Sequence, residues 1–171
     1  MDDLVLRPVT DGDLEVLVEF FAAPHVARWW HEQATLEAVS AKYGPALAGE
    51  DPTRLLLALV DGRPVGFGQS YFWSVEDASA YGLPPGSVGI DYLLGHAHDC
   101  DRGLGTRLVA ALVAAAPPGD VWVTPEEANG PSCRVLDKNG FELMAVKQCH
   151  VPDEAWAGPT AIYRLDARLR T

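Results

Sequence analysis

The chain is 171 residues long, 48% hydrophobic, and carries a formal net charge of −11. That length suits one domain spanning 1–171, with enough apolar content for a core that needs no metal or disulfide staple. The acidity argues against nucleic acid as a partner, because phosphate binding requires a basic face.

Cys100, Cys133 and Cys149 form no repeated spacing and leave an odd one over, which reads as free thiols in a reducing compartment. No basic region followed by an apolar stretch opens the chain, and no apolar run approaches the roughly 20 residues of a membrane span. A cytoplasmic protein with no membrane partner, either monomer or homodimer, is expected.

Leu4–Val9 reads as a first strand, followed by a capping-box-like Thr10 and Asp13. Leu14, Leu17, Val18 and Phe21 then share one helical face. A second helical region starts near Pro24 and contains His25–Trp30. Thr35 can cap a further helix with Leu36, Val39, Tyr43, Ala46 and Leu47 turned inward. Strands follow at Arg54–Val60 and Pro64–Trp73, joined at Asp61-Gly62, a tight-turn signal. Ser74–Pro85 reads as a loop, Val88–Leu94 as a strand, and Gly103–Ala116 as a helix ended by Pro117-Pro118-Gly119. Val121–Thr124 is a strand, and Asn129 can cap a helix through Asn139, with Gly140 in the left-handed position after it. Strands at Phe141–Cys149 and Thr160–Asp166 complete the order β-α-α-β-β-β-α-β-α-β-β. The fold class is α+β or α/β, a mixed sheet flanked by helices.

The segment Asp101-Arg102-Gly103-Leu104-Gly105-Thr106 lies between a strand and a helix. Glycines there let backbone N–H groups approach a ligand, and a helix N-terminus suits a pyrophosphate. Arg102 and Arg107 add positive charge. The dinucleotide fingerprint needs a third glycine where Leu108 stands, and no Gly-Lys-Ser/Thr follows. Taken alone, the turn is equally a plain entry into a helix.

Together with Asn129 and Leu136-Asp137-Lys138-Asn139-Gly140-Phe141, this turn resembles the GCN5-related N-acetyltransferase superfamily. The resemblance implies an α+β fold with a mixed, mostly antiparallel sheet, and acetyl-CoA as co-substrate with its pyrophosphate at the turn. Leu93, Leu94, Arg102, Gly103, Leu104, Gly105, Thr106, Asn129 and Lys138 are the implied cofactor residues. Cys100 departs from the motif, where the family prefers Gln or Arg. Trp29-Trp30, Pro64–Tyr71, Gly89–Leu94 and Pro159–Tyr163 are further similar to the aminoglycoside 6′-N-acetyltransferase branch, a likeness running from about Leu4 to Arg168.

Residue chemistry is compatible with that branch. An ammonium cannot attack a thioester, so a base must first take its proton. Asp91 interrupts an apolar strand, where a charge is costly unless paired or functional. The resemblance makes it the catalytic and substrate-binding Asp. Gln69, Trp30 and Glu126 are further substrate candidates, for a sugar hydroxyl or amine, a flat wall and a negative rim. His96-Ala97-His98-Asp99-Cys100-Asp101 has zinc-ligand residue types, but no standard metal spacing, and reads better as a polar loop entering the turn.

The expected partner is thus a small cationic amine. The expected reaction is acetylation of an aminoglycoside 6′-amino group, giving antibiotic resistance. Two alternatives stay open: acylation of a siderophore precursor or other metabolic amine, and a non-catalytic acyl-CoA sensor. The sensor reading gains from Leu136, which stands where many members carry a tyrosine proposed to protonate the departing thiolate.

Overall fold

The computed structural model describes residues 3–148 and 158–170. Seven strands are hydrogen-bonded in the order β1-β2-β3-β4-β5-β7-β6. They are β1 (Leu4–Pro8), β2 (Arg54–Val60), β3 (Arg63–Phe72), β4 (Val88–Leu94), β5 (Val121–Val123), β6 (Glu142–Lys147) and β7 (Thr160–Leu165). The helices are α1 (Leu14–Ala22), α2 (Pro24–Trp30), α3 (Leu36–Leu47), α4 (Val75–Tyr81), α5 (Leu104–Ala115) and α6 (Gly130–Lys138). β1 pairs antiparallel with β2, and β7 with both β5 and β6, whereas β4 and β5 run parallel. This is the mixed, mostly antiparallel α+β class expected.

The chain divides into two compact units, Met1–Gln69 with Tyr92–Leu112, and Ser70–Asp91 with Val113–Thr171. In the first, α1 and α3 bury Leu17, Phe20, Phe21, Val39 and Tyr43 against Leu57 and Phe67 of the sheet. Phe21, Tyr43 and Phe67 meet mostly edge to face, the geometry that suits opposed ring quadrupoles. Ahead of α1, the Asp13 carboxylate accepts from the Thr10 backbone N–H at 2.8 Å and from Arg7 at 2.7 Å. The expected capping box is therefore present, tied down further by an ion pair. Asp61 and Gly62 turn from β2 into β3 at φ 51° and 76°, both in the left-handed region that such a tight turn requires.

In the second unit, Tyr81, Leu83, Trp122 and Ile162 form a separate apolar cluster with Trp73 packed against it. Asn129 caps α6 by accepting from Ser132 N–H at 3.2 Å, and Gly140 follows the helix at φ 78°. Arg170 closes the C-terminal end of α5. Its guanidinium donates to the carbonyls of Val113, Ala116, Pro117 and Gly119 at 2.6–2.8 Å.

Three expectations need correction. Ser74–Pro85 is not all loop, because Val75–Tyr81 is helical. The Ser74 hydroxyl oxygen accepts from Asp77 N–H at 3.0 Å, Ala78 and Tyr81 are buried one turn apart, and Gly82 ends the helix at φ 71°. Leu36 is not turned inward but 48% exposed, since it opens α3 before the helix has made a turn. All three helical regions read between β1 and β2 form, one more than the written element order counted. The expected last residue of β6, Cys149, lies outside the described residues. Among those residues no helix is long and apolar enough to cross a membrane.

Candidate active site

β4 carries residues of both units, Asp91 in the second and Leu93 and Leu94 in the first. Asp91 lies on this strand, half-buried, in a run whose neighbours Val88, Ile90 and Leu93 are buried. The Tyr71 hydroxyl donates to Asp91 Oδ1 at 3.3 Å. Burial pushes the Tyr71 phenol well above its usual range, and the Asp91 charge raises it further. Tyr71 thus stays a neutral donor over the whole working range of an enzyme. Glu126 lies beyond the end of β5, where it bridges to Thr160 and is half-buried. Asn129 spends its side-chain oxygen on the α6 cap, which leaves the two donors of its amide nitrogen unused by that cap. Lys138 is exposed at the last turn of α6.

The first unit holds the turn. Asp101 and Gly103 both have positive φ, 57° and 80°, and α5 begins at Leu104. Its first intrahelical bond of this kind runs from Arg107 N–H to the Gly103 carbonyl. The backbone N–H groups of the preceding residues, Leu104, Gly105 and Thr106, therefore lie in the first turn, ahead of the helix's own i→i−4 ladder. No acidic residue occupies that first turn, so the helix dipole there is unopposed from within α5. Arg102 is exposed and Arg107 half-buried beside it in sequence.

Just upstream, Leu93 is buried, and the β3 backbone comes so close that a Cβ on Gly66 would sit 2.5 Å from the Leu93 carbonyl oxygen. The Leu94 carbonyl accepts from His25 Nε2 at 2.9 Å, which fixes the end of β4 to α2. Gln69 is half-buried on β3. Trp30 is half-buried as well, its ring 5.4 Å from Phe21 and 5.9 Å from Phe67, so most of its contacts are to the core.

Within the first unit, then, Leu93, Leu94 and the 102–106 turn follow one another along the chain. In the second, Asp91 gains a partner that the sequence reading had not assigned. Tyr71 had a signal available: from Gln69, the period-2 alternation of a strand puts Tyr71 and Trp73 on the same face. His25 and Arg63 had no local signal at all. Among the described residues no group of three His, Cys, Asp or Glu side chains is placed to hold a metal. His96 and His98 instead stack on each other at 5.3 Å, and Asp99 pairs with Arg63. Cys100 and Cys133 are free thiols.

Comparison with known proteins places this geometry in a family. The model of the acetyltransferase (GNAT) domain matches residues 9–148. Aminoglycoside N(6′)-acetyltransferase type 1 of Klebsiella pneumoniae and that of Serratia marcescens are each 32% identical over 181 aligned positions. Each alignment covers 98% of this chain and 84% of the relative. Among solved structures, aminoglycoside acetyltransferase AAC(6′)-Ib in complex with coenzyme A superposes with a TM-score of 0.78 at 28% identity, covering 98% of this chain and 96% of that one. The same enzyme with coenzyme A and kanamycin gives the same score, identity and coverage. With the match spanning most of the length, the chain belongs to the GNAT acetyltransferase family.

Proposed function

We propose that this acetyltransferase moves the acetyl group of acetyl-CoA onto the 6′-amino group of an aminoglycoside, and so protects a cell from the antibiotic. The observation that carries this reading is the likeness over 98% of the chain to aminoglycoside N(6′)-acetyltransferases. The half-buried Asp91 carboxylate on an apolar strand supports it from the side of chemistry.

In this reading the 102–106 turn binds the pyrophosphate. Leu104, Gly105 and Thr106 offer backbone N–H groups, Gly103 supplies the left-handed corner, and Arg102 contributes charge. Leu93 and Leu94 present the β4 backbone to the pantetheine amides. The Asn129 amide donates to the same arm, and Lys138 adds a cation on α6. Gln69, Trp30 and Glu126 contact the amine-bearing sugar.

Asp91 attracts the substrate ammonium and takes one proton from it. The freed nitrogen lone pair bonds to the acyl carbon and the carbon–sulfur bond breaks. The amide forms as its nitrogen gives a second proton to water or to the departing sulfur, and coenzyme A leaves as the thiolate or, with that proton, as the thiol. The net acidity of −11 suits a cationic substrate by long-range attraction.

The test is thiol release from acetyl-CoA across a panel of amines that includes kanamycin, other aminoglycosides and diamino acids. Turnover is expected with aminoglycosides carrying a 6′-amino group and not with those carrying a 6′-hydroxyl. Turnover confined to metabolic amines would replace the substrate and keep the chemistry. No turnover with any amine, despite acetyl-CoA binding, would make the chain a sensor. Asp91→Asn should keep cofactor binding and lower kcat by about 10²–10⁴-fold, the usual loss with a general base.

A further inference from the structure

Tyr71 is seated in β3 by a vacancy in β4. A Cβ placed on Gly89 would lie 2.5 Å from Tyr71 Cε2, 2.6 Å from its Cζ and 2.9 Å from Trp73 Nε1. No side chain fits there, so the glycine two residues before Asp91 is the floor on which the Tyr71 ring rests. Trp73 packs edge-on against that ring at 5.5 Å. Trp73 is held in turn by Tyr81 at 5.3 Å and by its indole N–H, 3.4 Å from the Trp122 carbonyl oxygen. The phenol at the end of this stack reaches Asp91.

We infer that Tyr71, seated by Gly89 and braced by Trp73, is the positioning residue for Asp91, fixing the orientation of its carboxylate toward the substrate amine before the amine arrives. This rests on Asp91 being the base of the proposed reaction. A carboxylate turns easily about its last torsion, and a donor on one oxygen stops that rotation. The same bond favours the ionised form, the form that accepts a proton. At 3.3 Å it is long for an O–H···O bond. Catalytic hydrogen bonds commonly tighten only once substrate is bound. As Asp91 takes its proton, the phenol oxygen can become the acceptor, so the pair stays bonded through the transfer.

The experiment follows Asp91 directly. Its carboxyl-carbon NMR signal, assigned by its loss in Asp91→Asn, is titrated in the parent, in Tyr71→Phe and in Gly89→Ala. Removing the hydroxyl should move the midpoint to higher pH, because the ionised form loses a donor. Gly89→Ala should move it the same way with Tyr71 still present, and the double variant should move it no further. The acid limb of kcat/KM should shift in parallel, with kcat lowered several-fold rather than by the ~10²-fold or more that removing a base costs.

An unmoved midpoint in Tyr71→Phe overturns the inference, as does full additivity of the two substitutions. Should Gly89→Ala fail to fold, Tyr71→Phe, which keeps the ring, decides alone. A midpoint that moves while Asp91→Asn still turns over normally would uphold the Tyr71–Asp91 coupling. In that case the assignment of Asp91 as base is what fails.

Discussion

Arg63 and Asp99 stand 36 residues apart and meet through two parallel hydrogen bonds, Nη1 to Oδ2 at 2.9 Å and Nη2 to Oδ1 at 2.8 Å. Asp99 is fully buried, whereas the guanidinium is half exposed. The pair sits immediately before the 102–106 turn, where an uncompensated carboxylate would oppose a pyrophosphate. Arg63 cancels that charge and anchors the approach to the turn from β3.

Removing Arg63 strips the buried Asp99 of both guanidinium hydrogen bonds and leaves it His98 Nε2 at 3.7 Å. Arg63→Met should therefore cost about 1–3 kcal/mol at pH 7, tempered by the exposure of the guanidinium. The Arg63 hydrogen bonds hold the Asp99 carboxyl below its usual range. A depressed carboxyl contributes stability above its unfolded value, near 3.9, and loses it as pH falls through the lower folded value. Urea unfolding at several pH values should show the gap between parent and variant narrowing below about pH 4. A gap that is constant with pH would mean that the loss is packing and not charge.

Gly105→Asp brings bulk and a negative charge to the first turn of α5, the turn proposed to hold the pyrophosphate. Acetyl-CoA should raise the melting temperature of the parent, since a ligand of the native state stabilises it by mass action. The variant should fold but show no such rise. Undiminished stabilisation would remove the pyrophosphate from this turn.

Arg170 satisfies four carbonyls at the end of α5 and in the turn after it, a part-buried cluster that water does not easily replace. Arg170→Ala should lower stability by about 1.5–3 kcal/mol, the range for hydrogen bonds to a charged group with a helix-dipole contribution. Calorimetry compares the two proteins. A change in melting temperature below a degree would show the clamp to be dispensable.

These three sites differ in how far sequence alone reveals them. Caps and turns were legible wherever a few adjacent residues decide the conformation, as at Thr35, Asn129 and Asp61-Gly62. Asp91 was legible because its charge interrupts an apolar strand. The Ser74 cap of α4 carries the same kind of signal, although the sequence reading takes Ser74–Pro85 as a loop. Arg63 with Asp99, Tyr71 with Asp91, and Arg170 with α5 depend on how distant segments register. No spacing along the chain reports that. Phe20 was missed on α1 because Leu17 supports a face through either Phe20 or Phe21. Both rings are buried, and Phe20 fills the space over Gly95, where a Cβ would meet its ring at 2.1 Å.

The departing thiolate is the remaining question of mechanism. Leu136 occupies the position of the family's tyrosine and is fully buried, so it neither donates a proton nor faces a ligand. Tyr163 is the buried phenol near the same helix, 4% exposed and within hydrogen-bonding reach of Cys133. Burial raises the Tyr163 phenol, and burial likewise raises the Cys133 thiol. A thiol leaving group with a pKa near 8.5 departs without an acid, so none is needed. The rate should rise as the amine and its base lose protons, then stay level through about pH 9.5. Burial keeps the Tyr163 phenol protonated through that range, so the profile stays level with or without it. A severe fall in kcat in Tyr163→Phe, with acetyl-CoA binding kept, would identify Tyr163 as the acid and end the unassisted mechanism. Restoring the family residue should not help: Leu136→Tyr overfills a fully buried position, costing about 1–3 kcal/mol. An increase in kcat in that variant would show instead that the position faces the reaction.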